Sequence, residues 1–313
     1  MANWSNVHLM FCEGPHDAAF LNRLLKKKLD FAKAELKLSE LPYPISNVLQ
    51  QSVKTRASED LRLDLAKKFF LPDYLVKRDA TLIMIFNYGG SNRQINIPPF
   101  LEKVFLLLNT PAFAAGGQPS DLPKFTFTVF ADADAVGLEA VRGQISEDLK
   151  TIGGSAWLNG EWRMFKDTKA AAQDTAFGSA AAYIWKKSDE DNGTLEDIVL
   201  ECLGNDQGLQ QTMNFLDQRF SWGAPANATP EEICAVSAKR LKAAFCVEGQ
   251  RKKPGGSLGV VLDQTELLNK DCMDNSPAVK DCVEFLKSWI ELSSSTDDID
   301  INAPAISELM LDS

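Results

Sequence analysis

Three short apolar runs constrain the fold of this chain most: Val7-His8-Leu9-Met10-Phe11-Cys12, Thr81-Leu82-Ile83-Met84-Ile85-Phe86, and residues 125–131. Each is of strand length and nearly continuous, the pattern of a strand buried on both faces rather than one. Glu13-Gly14-Pro15, Asn87-Tyr88-Gly89-Gly90-Ser91 and Asp132-Ala133-Asp134 follow them, and each of these reads as a turn. Helical patterns come next, over residues 18–29, 100–108 and 136–149, the second behind Pro98 and Pro99. Strands alternating with helices imply right-handed βαβ units and a mostly parallel sheet covered on both faces. The acids lie just past the carboxyl ends of the first and third strands, where open α/β sheets place their chemistry.

Further on, residues 180–185 read as a fourth strand and residues 195–203 as a helix with Thr194 at its N-cap. Helices are predicted over 61–71, 209–219, 230–245 and 277–292, with a glycine-rich turn at Gly255-Gly256-Ser257. The expected organisation is an α/β domain over 1–204, a mainly helical extension over 205–292 and an acidic tail over 293–313. No apolar run approaches the roughly 20 residues of a membrane-spanning helix, and the start lacks a secretory pattern, so the reading is a cytoplasmic protein without membrane association. Six cysteines without C-x-x-C spacing, and only His8 and His16 as histidines, argue against a zinc site and for reduced, buried thiols. The net charge of −10, 33 basic against 43 acidic residues, opposes non-specific coating of nucleic acid. A local basic stripe and a bound metal would still let a nucleic-acid enzyme work.

The chemistry converges on Glu13-Gly14-x-x-Asp17 and Asp132-x-Asp134. Phosphoryl transfer gathers negative charge that bare carboxylates would repel. Mg²⁺ is hard, takes oxygen ligands, and is commonly held by one or two carboxylates with water and phosphate. Two acids one residue apart on a strand end point to the same side. Two ions roughly 4 Å apart would clamp attacking and leaving oxygens together. Each motif also has a structural explanation, since a Gly turn followed by an acid in the first helical turn answers the helix dipole.

In order, spacing and strand context these motifs resemble the TOPRIM domain, over roughly residues 5–200, and most of all the TOPRIM regions of OLD-type nucleases and a related uncharacterised family. The resemblance implies a TOPRIM-like (Rossmann-like) fold and a Mg²⁺- or Mn²⁺-dependent nuclease acting on DNA or RNA. It implies Glu13, Asp132 and Asp134 as catalytic acids, with Asp17 beside them as a metal ligand. Gly193-Thr194-Leu195-Glu196-Asp197 resembles a leucine-glutamate element of the same family. This implies Glu196 as a further ligand, Asp197 being the weaker choice, against a plain acidic first turn. A basic residue near the site is implied too, and Lys253 in Arg251-Lys252-Lys253 is the candidate, against a solvated loop. Gly89-Gly90-Ser91 reads either as amides offered to a phosphate or as a simple turn. Lys26-Lys27-Lys28 and Lys67-Lys68 read either as flanks of a nucleic-acid path or as helix surface. No G-x-x-x-x-G-K-[ST] loop is present, so the ATPase of OLD-type nucleases would be a separate partner.

Two other classes stay open. The segment from Phe130 to Val136 fits the first motif of haloacid-dehalogenase-like phosphatases, with Asp132 as nucleophile and Asp134 as acid/base. That motif normally opens its fold, and it leaves Glu13 without a task. The other class is a non-catalytic, metal-stabilised TOPRIM module serving an ATPase.

Overall fold

The computed structural model describes residues 4–57, 70–109, 122–165, 169–204, 206–223 and 226–294. β1 (Asn6–Cys12) leads into α1 (Pro15–Lys28), and β2 (Ala32–Lys33) and α2 (Ile45–Ala57) precede β3 (Tyr74–Arg78) and β4 (Thr81–Asn87). α3 (Arg93–Asn109), β5 (Lys124–Asp132) and α4 (Leu138–Asp148) follow. A short pair, β6 (Thr151–Ile152) and β7 (Ser155–Ala156), precedes β8 (Arg163–Met164), β9 (Ala170–Thr175) and β10 (Gly178–Trp185). The remaining described elements are helical: α5 (Leu195–Leu203), α6 (Gln207–Arg219), α7 (Pro230–Lys252), α8 (Leu258–Gln264), α9 (Lys270–Asn275) and α10 (Pro277–Ser294).

The fold is α/β. Eight strands form one sheet in the order β2-β3-β4-β1-β5-β10-β9-β8, and its central four, β4-β1-β5-β10, run parallel. The outer strands are antiparallel additions that the sequence reading did not contain. Both faces are covered, as the continuous apolar runs require. Met10 and Cys12 of β1 face one core with Phe20 and Leu24 of α1, while Leu9 and Phe11 face the other with Val141 and Ile145 of α4. The chain leaves β1 for β4 on one side and returns through α3 to β5 on the other. The helices after β1 and β5 therefore lie on opposite faces. A crevice opens between the carboxyl ends of those two strands, which is the topological switch point of the sheet.

The helices after residue 206 pack on the α1 face and share its apolar core. α1 is clasped to them by buried polar contacts. The Arg23 guanidinium donates to the carbonyls of Asp263 (3.0 Å) and Leu268 (2.9 and 3.1 Å), and Asn22 donates to the Asp263 carboxylate (2.6 Å). Lys26 pairs with Asp263, Lys27 with Glu266 and Lys28 with Asp274, so these lysines link α1 to the segment from α8 to α9.

Some boundaries differ from expectation. α3 begins at Arg93, so Pro98 and Pro99 lie inside it and each removes one i→i−4 hydrogen bond. Tertiary contacts hold the extra turn: Arg93 binds Asp148, and Asn96 donates to the Tyr88 carbonyl (2.7 Å). Most of the helix predicted over 61–71 lies outside the described residues, as do Lys67, Lys68 and nearly all of the acidic tail, while Phe70 and Leu71 are not helical. All six cysteines are free thiols, with Cys12, Cys202 and Cys282 buried. Among the described residues no helix is long and apolar enough to cross a membrane.

His8 is fully buried in β1, hydrogen-bonded through Nδ1 to the Thr126 hydroxyl at 2.6 Å. Burial lowers its pKa from 6.5 to about 3. Between those values the unfolded chain binds a proton that the folded chain refuses, so stability drops as pH falls. The stability advantage of the wild type over His8→Gln is expected to shrink by about 1.4 kcal/mol per pH unit below pH 6.5 in urea titrations. A constant advantage between pH 7 and 5 would contradict this.

Candidate functional site

The crevice is lined by acids whose positions are set by backbone hydrogen bonds. Glu13 follows the last residue of β1, and its carbonyl accepts the amides of Gly89 (3.1 Å) and Gly90 (2.8 Å). Those two amides are thereby spent, so the alternative in which they cradle a phosphate does not hold, and the segment is a turn that braces Glu13. Asp17 lies in the first turn of α1, where its Oδ2 accepts the Gly14 amide (3.0 Å). Asp132 ends β5, and its Oδ1 accepts the Leu195 amide (2.8 Å) at the start of α5. Glu196, in the first turn of α5, is 5% exposed and approaches Lys242 Nζ at 3.3 Å through Oε1. Asp197 turns back to accept the Thr194 amide (2.8 Å), a reciprocal cap that removes it from the group.

Asp134 is held differently from the simple strand alternation expected of a D-x-D pair. β5 stops at Asp132, and Asp134 takes a left-handed φ of 47° that aspartate tolerates better than most residues. Its backbone exchanges two hydrogen bonds with Gly193 (2.8 and 2.9 Å). The relation between the two aspartates is therefore fixed by the 192–195 loop. Gly193 has φ 134°, and a Cβ there would stand 2.7 Å from the Lys187 amide nitrogen. Gly193→Ala is expected to cost roughly 1–3 kcal/mol in denaturant unfolding and to loosen Asp134 and Asp132 together. Unchanged stability in that variant would show that the loop does not carry the site.

The carboxylates repel one another. Burial, then Glu13 and Glu196, raises the Asp17 carboxyl to about 7. Burial, then Asp17, Glu13, Glu196 and Asp134, lifts Asp132 well above the ordinary carboxylate range. Glu13 is raised by burial and then Asp134, tempered by a hydrogen bond from the Asp132 backbone and by Arg93 and Lys242. Asp134, the one exposed member, is raised by partial desolvation and then by Glu196. Beside them lies a cleft of about 330 Å³, lined by Glu13, Asp132 and Asp134 together with Tyr88, Arg93 and Gln94.

Two of these side chains keep a buried oxygen without a hydrogen-bond partner, Asp17 Oδ1 and Glu196 Oε2. Among the described residues no group of three or more His, Cys, Asp or Glu is arranged to hold a metal ion as it stands. Asp17 and Asp132 each commit one oxygen to a backbone amide, that of Gly14 and that of Leu195. The donor chemistry does fit a hard divalent cation: all-oxygen ligands, uncompensated negative charge and two orphaned buried acceptors.

The structure thus brings together Glu13, Asp17, Asp132, Asp134 and Glu196 from the ends of β1 and β5 and the starts of α1 and α5. His16 lies beside them, its pKa lowered by burial and then by Lys242, against Glu196. Lys253 caps α7 and its ammonium binds Gln264 rather than the acids. Sequence reasoning missed the cations that do face the group. Lys242 projects from the middle of α7, and Arg93 opens α3 within the cleft, ion-paired to Asp148 and 6.0 Å over the Tyr88 ring. Neither carries a local signal, because a lysine in a helix and an arginine after a turn are ordinary surface residues.

No family model matches the chain, and no curated protein does. Among solved structures it resembles hypothetical protein PH0156 from Pyrococcus horikoshii OT3, at 16% identity and a TM-score of 0.46, covering 93% of this chain and all of that one.

Proposed function

We propose that this protein is a divalent-metal-dependent phosphoryl-transfer enzyme of TOPRIM type, a cytoplasmic nuclease hydrolysing phosphodiester bonds in DNA or RNA. One observation carries the reading: four carboxylates act electrostatically on Asp132 near the switch point of a parallel sheet, and two of the five keep a buried oxygen without a partner. Glu13, Asp17, Asp132, Asp134 and Glu196 would hold Mg²⁺ or Mn²⁺. When bound, the ion supplies Lewis-acid stabilisation of charge on the phosphoryl oxygens. The chain's own part is to attract and orient the backbone. Lys242 and Arg93 offset the acidic potential at the cleft, and Glu13, steadied by the Asp132 backbone, would exchange a proton with a substrate oxygen.

The test is cleavage of single- and double-stranded DNA and RNA with Mg²⁺ or Mn²⁺ and with chelator. Metal-dependent strand scission is expected, and scission that survives chelation would refute the proposal. Stabilisation by Mg²⁺ without cleavage would point instead to a non-catalytic module acting with a separate ATPase. Undiminished phosphomonoester turnover by Glu13→Ala would favour a dehalogenase-like phosphatase with Asp132 as nucleophile.

A further inference from the structure

Lys242 has an unusual position for a helix-surface lysine. α7 packs on α5 outside the sheet and delivers the ammonium to Glu196 Oε1 at 3.3 Å. The Glu196 side chain is 6% exposed and its Oε2 has no partner, whereas the Lys242 side chain is 43% exposed. One end of the pair is therefore buried beside the acids, while the other rides on a long flexible stem with water beside it. Arg93, which lines the cleft, is committed to Asp148. The acids on the α5 side thus have Lys242 as their neutralising cation.

We propose that Lys242 is the resident counter-ion of the acidic site, and that a divalent cation entering the site displaces its ammonium from Glu196 and frees it toward the substrate phosphate. This rests on the metal-dependent reading above. A dication bound to buried oxygens outcompetes a single ammonium whose alternative is full hydration. The two cations also repel: a unit charge within about 5 Å of a divalent ion weakens its binding by roughly tenfold even at a water-like dielectric. Metal loading and substrate capture then become linked through one side chain, so that the lysine becomes available for phosphate only once the site holds its metal.

The experiment titrates Mn²⁺ into the full chain and follows free Mn²⁺ by electron paramagnetic resonance, for wild type, Lys242→Gln and Lys242→Arg. Lys242→Gln is expected to bind Mn²⁺ roughly tenfold more tightly, and Lys242→Arg to stay near wild type. With Mn²⁺ saturating, Lys242→Gln is expected to bind a phosphorothioate oligonucleotide more weakly than wild type does. General damage to the fold would not tighten metal binding, so that readout separates this role from a structural one. Circular dichroism checks folding, and Lys242→Met replaces the glutamine variant if that one fails to fold. Equal or weaker Mn²⁺ binding by the uncharged variant overturns the proposal and leaves the metal site standing. Tighter Mn²⁺ binding with undiminished oligonucleotide affinity overturns the release toward phosphate. Absence of Mn²⁺ binding in every variant overturns the metal-dependent reading, and the proposal with it.

Discussion

Asp132→Asn is expected to leave the chain folded while lowering metal-dependent strand cleavage by at least roughly 10²–10³-fold. Asparagine keeps an oxygen that can accept the Leu195 amide, so the junction between β5 and α5 survives. What disappears is a carboxyl whose ionisation burial and then Asp17, Glu13, Glu196 and Asp134 oppose. Losing it relieves repulsion in the metal-free protein and weakens the hold on a cation. The two effects have opposite signs on stability and activity, which is what distinguishes a site residue from a packing residue. Cleavage rates at saturating Mg²⁺, measured beside thermal melts, test this directly. Wild-type cleavage by a folded Asp132→Asn chain would remove Asp132 from the chemistry.

The second large effect is on stability without metal. In chelator, Asp17→Asn is expected to be more stable than wild type, and increasingly so from pH 5 to pH 7.5. The folded chain keeps a proton on Asp17 up to about pH 7, whereas the unfolded chain releases it near the ordinary aspartate value of 3.8. Over that interval the unfolded state binds fewer protons, so the stability of the wild type falls as pH rises. The Asp17 shift alone corresponds to something on the order of 4 kcal/mol. Asparagine can still accept the Gly14 amide and carries no charge to desolvate. Excess Mg²⁺ should close the gap or reverse its sign by giving the wild-type carboxylate a partner. Urea unfolding across that pH range, with and without Mg²⁺, decides it, and a wild type more stable than Asp17→Asn in chelator at pH 7.5 would show that the acids do not strain the fold.

The parts of this site that were legible in the sequence are those written in short-range patterns. Buried strands announce themselves as apolar runs, and Glu13 and Asp132 could be placed because each directly ends one. Thr194 and the helix after it were readable from capping chemistry, with the predicted and observed bounds coinciding at Leu195 and Leu203. The edge strands were not legible. β2 and β8 are two residues long, and β9 begins with three alanines, which favour strands weakly. The prolines of α3 pointed to a later helix start than tertiary contacts impose. Lys253 and Lys242 give the sharpest contrast. Lys253 sits in the densest basic stretch yet binds Gln264, while Lys242 reaches the acids because α7 folds back across α5. Charge density along a chain is local, whereas proximity to an active group is a property of topology.

The clasp between α1 and the late helices bears on biosynthesis. Asn22 and Arg23 find their buried partners only in residues some 240 positions downstream, and without them α1 would present those donors unsatisfied against an uncovered apolar face. A nascent chain emerging from the ribosome can pair its first strands early, but the helix that carries Asp17 cannot settle until the last third has been translated. The acid that α1 brings to the crevice would thus reach its final place only after Asp263 and Leu268 have been made.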